Sequence, residues 1–172
     1  MRSSGTRLSS APARYHVPML KCLPKSICSR NFRVIGLPEG EAEVDFDSMS
    51  EQGTISMAGE KLRVRKHGAM SGQWTLERDG EVLAEAIKPS AMTRRIEVRT
   101  LGVTLSLDAR SAFSNEFLLS HDGTRCGSIR PMHSFTRRAC FECSAPLDST
   151  TQLFAFWMVA LMWRRAEQAA AS

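Results

Sequence analysis

Residues 153–163 read Leu153, Phe154, Ala155, Phe156, Trp157, Met158, Val159, Ala160, Leu161, Met162 and Trp163, eleven apolar residues with no polar interruption. A surface helix shows a polar face, and this stretch has none through three turns. A helix that is apolar all round lies inside a core or a membrane. Spanning a bilayer takes about 20 apolar residues, so this segment is expected to be the axis of a protein core. Ser149 and Gln152 form a capping box at its start. Arg164 and Arg165 follow it, where cations suit the C-terminal end of a helix dipole. A core helix over about 149–166 is expected.

The chain around this helix has 172 residues, which suggests one domain with room for a real core. Hydrophobic content of 42% and charged content of 24% are ordinary for a globular protein. The net charge of +5 is unevenly placed. Arg2, Arg7, Arg14, Lys21, Lys25 and Arg30 face no acid within residues 1–30, while residues 31–172 sum to −1. A nucleic-acid-binding body carries its own positive excess, so nucleic acid is not an expected partner. Residues 1–30 are rich in Ser, Arg and Pro and lack the apolar stretch of a secretory signal. That composition suits an organelle transit peptide, a disordered leader or a misassigned start. A basic disordered leader over 1–30 is expected, then a domain over 31–168 and a tail over 169–172. Five cysteines without an export signal suggest reduced thiols in an intracellular, cytoplasmic protein. Peripheral membrane association and organelle import remain open alternatives.

Ahead of the helix, strand signals dominate. Phe32 to Ile35 and Val44 to Phe46 suit short strands. Glu39, Glu41, Glu43, Asp45, Asp47 and Glu51 are acids with no base among them, either a clamp for the basic leader or a solvated loop with an edge strand. Leu62, Val64 and Lys66 alternate with Arg63, Arg65 and His67, as in a half-exposed strand. Gln73 to Ile87 around Asp79-Gly80 is a β-hairpin signal, because Asp-Gly supplies the positive-φ pair of a type I′ turn. Thr93 to Arg99 and Val103 to Leu107 are further strands. Asn115 to Ile129 around Asp122-Gly123 is a second hairpin, and Phe135 to Cys143 is the last strand.

Two stretches look like copies. Trp74, Leu76, Asp79-Gly80, Ile87-Lys88-Pro89 and Thr93-Arg94-Arg95 recur as Phe117, Leu119, Asp122-Gly123, Ile129-Arg130-Pro131 and Thr136-Arg137-Arg138. Two copies cannot close a propeller. A closed antiparallel β-barrel of many short strands around the C-terminal helix fits both signals, since closure leaves no exposed edge.

Many short strands, repeated Asp-Gly hairpins and one wholly apolar C-terminal helix together resemble the tubby C-terminal-like superfamily. That group includes the tubby proteins, the phospholipid scramblases and the LURP-one-related proteins. The resemblance covers about Lys61 to Arg165, more weakly from Phe32, and is one of layout. It implies a closed barrel threaded by a central helix, and among tubby domains a phosphoinositide-binding surface. No tubby signature fixes those positions here. The segment after Trp163, Arg-Arg-Ala-Glu-Gln-Ala-Ala-Ala-Ser, does not match the calcium segment of scramblases, so calcium binding and scrambling are not carried over.

The candidate ligand-binding residues are the repeated cations: Lys88, Arg94 and Arg95 in one copy, Arg130, Arg137 and Arg138 in the other. Arg95 and Arg138 have outward parity if Ile96, Val98 and Phe141 point inward. Arg94 and Arg137 share the inward parity, and a cation there must sit at a rim, pair, or meet a ligand. The residues fit two anion sites for phosphate-bearing lipid, or strand-end arginines that snorkel or pair with acids. Cys140 and Cys143 are a lone Cys-x-x-Cys whose positions face opposite sides of a strand, and zinc needs four ligands. Cys126 shares a face with Leu119. The histidines show no metal spacing, and no P-loop, dinucleotide fingerprint or nucleophile elbow is present. The expectation is a monomeric, non-enzymatic barrel without metal or cofactor and without a transmembrane span. Its partner is expected to be an acidic phospholipid headgroup or, alternatively, a protein in a scaffold.

Overall fold

A computed structural model describes residues 19–27, 29–68, 70–133 and 136–171. Twelve antiparallel strands close into a barrel, and one helix, α1 (Ser149–Ala170), runs through it. The strands are β1 (Met19–Pro24), β2 (Phe32–Leu37), β3 (Gly40–Phe46), β4 (Gly53–Met57), β5 (Glu60–Lys66) and β6 (Gln73–Arg78). They continue as β7 (Glu81–Ile87), β8 (Arg95–Thr100), β9 (Val103–Ala109), β10 (Phe117–His121), β11 (Thr124–His133) and β12 (Thr136–Cys143). Each strand pairs with its neighbour in sequence, and β1 closes the ring between β12 and β2.

The fold follows from strand number. Eight strands make a barrel that side chains alone can fill, and twelve leave a lumen. With strands about 4.8 Å apart and tilted by about 40°, twelve give a barrel roughly 25 Å across. One helix about 10–12 Å in diameter fits inside with a layer of side chains around it. The expected apolar circumference is what that site requires. Residues 153–159 and Leu161 of α1 are fully buried. Around them, inward strand residues such as Val34, Val44, Ile55, Val64, Leu76, Ile96, Val98, Leu107 and Phe141 complete the core. Trp157 stacks on Phe46 with ring centroids 4.6 Å apart, and Phe156 meets Phe32 edge-on at 5.1 Å.

Three expectations are corrected. The leader does not end at residue 30, because β1 lies within it. Leu20 and Cys22 alternate inward and are buried, a pattern masked in the sequence by Lys21, Lys25 and Arg30. The part of the expected leader over 1–18 lies outside the described residues. The acids of β3 are not on an edge, since the barrel has none; Glu43 and Asp45 instead hold Lys25 Nζ at 2.9 and 2.7 Å. The helix starts at Ser149 as expected, but its cap is Asp148, whose carboxylate accepts from Thr151 N–H at 2.9 Å, and not the expected Ser149–Gln152 box. It runs four residues past the expected 166.

The two barrel ends differ. At one, two-residue turns join β2–β3, β4–β5, β6–β7, β8–β9 and β10–β11, and α1 enters there, with Ser149 Oγ donating to Glu39. Asp79 and Asp122 take φ of 49° and 48°, each followed by a positive-φ glycine, as type I′ hairpins demand. At the other end the connections 25–31, 47–52, 67–72, 88–94 and 110–116 are six or seven residues long. The helix emerges among them. No helix is long and apolar enough to cross a membrane among the described residues.

Candidate functional site: a cationic groove at the long-loop rim

The C-terminal turns of α1 leave the core through an arginine. Arg164 is 7% exposed. Its guanidinium donates to the carbonyls of Asp47, Ser48 and Ser50 at 2.9, 2.9 and 3.1 Å, tying the 47–52 loop to the helix. Burial lowers its pKa, and the nearby charge of Arg30 lowers it further. Arg165 continues the clamp, with Nη2 donating to Glu51 at 2.6 Å, and Lys66 Nζ also lies 2.6 Å from that carboxylate. Burial works to raise the Glu51 pKa, but the hydrogen bonds and charges of Arg165 and Lys66 outweigh it and hold the carboxyl at about 2. Trp163 Nε1 donates to the carbonyl of Asn115 at 2.8 Å. These contacts fix three long loops or loop flanks on the helix end.

Beside this clamp a groove of about 840 Å³ opens between the helix end and the β11–β12 strand pair. Arg30, Arg130, His133, Arg137, Arg138 and Arg164 line it, over an apolar floor of Phe32, Phe46, Ala160 and Trp163. Two carboxylates, Glu116 and Glu167, share the lining. Glu167 lies 3.3 Å from Arg137, and Glu116 is 2.8 Å from Arg110. Arg130 reaches Glu142 only at 3.4 Å on the outer wall. Among the described residues, no carboxylate pairs with Arg30 or Arg138. The groove therefore holds more cation than its own acids neutralise. Guanidinium forks around such a space suit a phosphate or another oxyanion.

The six cations of the internal repeat separate in space. The β6–β7–β8 and β10–β11–β12 units do match, down to a bulge after Leu76 in one and after Leu119 in the other. Arg130, Arg137 and Arg138 come together in the groove, whereas their counterparts do not. Lys88 Nζ is tied to the carbonyls of Ser90 and Ala91 within its own loop. Arg94 closes the neighbouring loop by donating to the carbonyls of Ala112 and Ser114 at 3.0 and 2.8 Å, with its guanidinium over the ring of Phe117. Arg95 points outward, as its parity implies, and lies 3.9 and 3.8 Å from Glu97 and Asp108. The physical reason is the neighbourhood. Arg137 on β12 reaches Glu167 at the end of α1, whereas Arg94, just ahead of β8, turns to the carbonyls of the 110–116 loop. The repeat therefore does not give two equivalent clusters of cations: Arg130, Arg137 and Arg138 share one groove, and Lys88, Arg94 and Arg95 do not join it.

Arg30, His133 and Arg164 are groove residues that the repeat did not indicate. The only sequence signal for Arg30 was the charge of the leader.

Other clusters have plainer geometry. His67 Nε2 lies 2.8 Å from Thr75 Oγ1, and that hydroxyl donates to Glu77 at 2.8 Å. The Thr75 proton is directed at the carboxylate and not at the imidazole, so the trio does not form a nucleophile–base pair. Cys143 faces the core, and its sulfur lies 3.6 Å from that of Cys126. The close pair is thus Cys126 with Cys143, not Cys140 with Cys143. Burial, then the adjacent Cys143, pushes the Cys126 thiol up to about 12, away from the thiolate a reactive cysteine needs. No group of three metal-ligating side chains occurs among the described residues.

No family model, no curated protein and no solved structure matches this chain.

Proposed function

We propose that the barrel binds acidic phospholipid headgroups in the groove at its long-loop rim. The observation that carries this reading is the pairing of Arg30 and Arg138, without carboxylate partners among the described residues, across a groove that also holds Arg130 and Arg137. The outer wall supports a rim as the contact. A membrane-spanning barrel wears an apolar band about 25 Å tall. Here the outward strand positions include Arg33, Glu43, Arg63, Arg65, Glu85, Glu97 and Arg99. We also assign the chain, on layout alone, to the tubby C-terminal-like superfamily; the closed barrel around a C-terminal helix supports that assignment.

Each cation near an acidic membrane surface contributes about 1 kcal/mol. Reversing Arg30 and Arg138 together removes two attractions and adds two repulsions. The test is sedimentation of the full chain with phosphatidylcholine vesicles, with and without phosphatidylserine, at low and moderate salt. Residues 1–30 stay in place, because β1 belongs to the barrel. Binding is expected only with phosphatidylserine, weakening as salt rises, and Arg30→Glu with Arg138→Glu is expected to reduce it by tenfold or more. Equal binding by the double variant, or none by the wild type, would overturn the headgroup reading and favour a protein partner.

A further inference from the structure

Apolar residues with nearly complete exposure are sorted to one end of this barrel. Among the described residues six large apolar side chains are more than 90% exposed, and five sit on the long-loop rim. They are Ile27 at 97%, Met49 at 96%, Met70 at 99%, Met92 at 94% and Phe113 at 98%. Each of the five long loops carries one. Met132, at the end of β11, is partly exposed on the same rim and lines the groove. At the tight-turn end, among the described residues, only Leu101 is more than 90% exposed, with Met19 and Val82 about half exposed. Single exposed apolar residues are ordinary on any surface. One per loop around a whole rim is a distribution that ordinary exposure does not produce, since loops favour polar residues.

The charges sort the same way. The five long loops hold Lys25, Arg30, Lys88, Arg94 and Arg110 against Asp47, Glu51 and Glu116. The residues joining strands at the other end, with those leading into α1, hold Glu39, Asp79, Asp122 and Asp148 and no Lys or Arg. One end of the barrel is therefore basic and tipped with apolar side chains, and the other is acidic.

We propose that the long-loop rim docks end-on against an anionic lipid surface, with Ile27, Met49, Met70, Met92 and Phe113 entering the headgroup–acyl boundary around the cationic groove. The occupant follows from shape and charge. The loops stand around a ring roughly 25 Å across, so their tips are separate points and not one continuous patch. A protein anchor fills a contiguous apolar pocket, whereas a deformable plane accepts scattered tips all at once. Apolar insertion beside cations is also the combination that holds amphipathic surfaces on anionic membranes. The inference deepens the headgroup reading and shares its membrane partner, but it stands on different residues.

The experiment uses the full chain in three forms: wild type, Phe113→Trp and Leu101→Trp. Each is mixed with phosphatidylcholine–phosphatidylserine vesicles whose acyl chains do or do not carry bromine. Trp74 and Trp157 are buried and Trp163 is half-buried in the groove, and the wild type supplies the background of all three. The added fluorescence of Phe113→Trp is expected to be quenched by brominated chains, and that of Leu101→Trp is not. In sedimentation, Ile27→Ser, Met92→Ser and Phe113→Ser combined are expected to weaken binding by about tenfold or more with no change in Tm. That loss persists at high salt, unlike the loss from reversing Arg30 and Arg138. Vesicle binding with equal quenching of the two tryptophan variants would overturn the end-on insertion and leave the groove reading standing. Insertion with no effect of the arginine reversals would do the opposite. No vesicle binding at all would overturn both.

Discussion

The two ends of the barrel solve different problems with the same strands. At the tight-turn end, two-residue connections, Asp-Gly pairs in type I′ geometry and a capped helix start leave almost no freedom and almost no apolar exposure. At the long-loop end each connection is about three times longer, and its backbone is held by side chains. Arg164 ties down the 47–52 loop, Arg94 the 110–116 loop and Arg165 with Lys66 the Glu51 carboxylate. The lesson is that short turns are needed only to reverse a strand. A long loop that must be fastened by buried arginine has a cost, and here the fastened loops present cations and apolar tips.

The largest effect belongs to the core that both ends share. Trp157→Asp places a charge among fully buried residues and is expected to abolish folding. A variant that keeps the wild-type melting transition would show that the helix does not organise the ends. Next is Arg164→Leu, which strands three inward-facing carbonyls at the long-loop end. It is expected to cost about 2–4 kcal/mol in denaturant unfolding. A smaller change is expected at the opposite end: Gly123→Ala, at φ 78°, costs about 1 kcal/mol and leaves vesicle binding unaltered. A binding loss there would break the division between the ends.

A further effect is electrostatic and shows itself only as pH falls. Glu51 is depressed to about 2 from an ordinary 4.5. A depressed carboxyl contributes stability that is complete above the unfolded value and is lost as pH falls through the folded one. Its contribution to Tm is thus expected to fade between about pH 4.5 and pH 2. Glu51→Gln should narrow the gap to wild type across that window. Because Glu51 neutralises Arg165 and Lys66, the same variant should slightly strengthen vesicle binding at neutral pH.

Much of the architecture was legible because some residues admit one interpretation. An eleven-residue apolar run has no surface solution, and Asp-Gly between alternating strands specifies its own turn. Two strands escaped. β1 is short and set in a basic leader, so Leu20 and Cys22 read as scattered. β4 turns through Ala58-Gly59, with Ala58 at φ 51°, and alanine gives no hairpin signal. The candidate site was half legible. The repeat marked Arg130, Arg137 and Arg138, which share the groove, but it also marked Lys88, Arg94 and Arg95, which do not line it. Sequence equivalence does not carry tertiary neighbours: Arg137 meets the helix at Glu167, and Arg94 meets loop carbonyls. The exposed tips were invisible for a related reason. Ile27, Met49 and Phe113 look like any other apolar residue until topology assigns them to one end.

Hydrogen exchange of the full chain, with and without phosphatidylcholine–phosphatidylserine vesicles, compares the ends in a single measurement. With vesicles, amides in 25–31, 88–94 and 110–116 and at the β11–β12 rim are expected to slow, while those at the Asp79-Gly80, Leu101-Gly102 and Asp122-Gly123 turns exchange as before. Protection at the turns instead, or an unchanged pattern at both ends under conditions where the protein sediments with the vesicles, would contradict the assignment of the long-loop rim as the binding end.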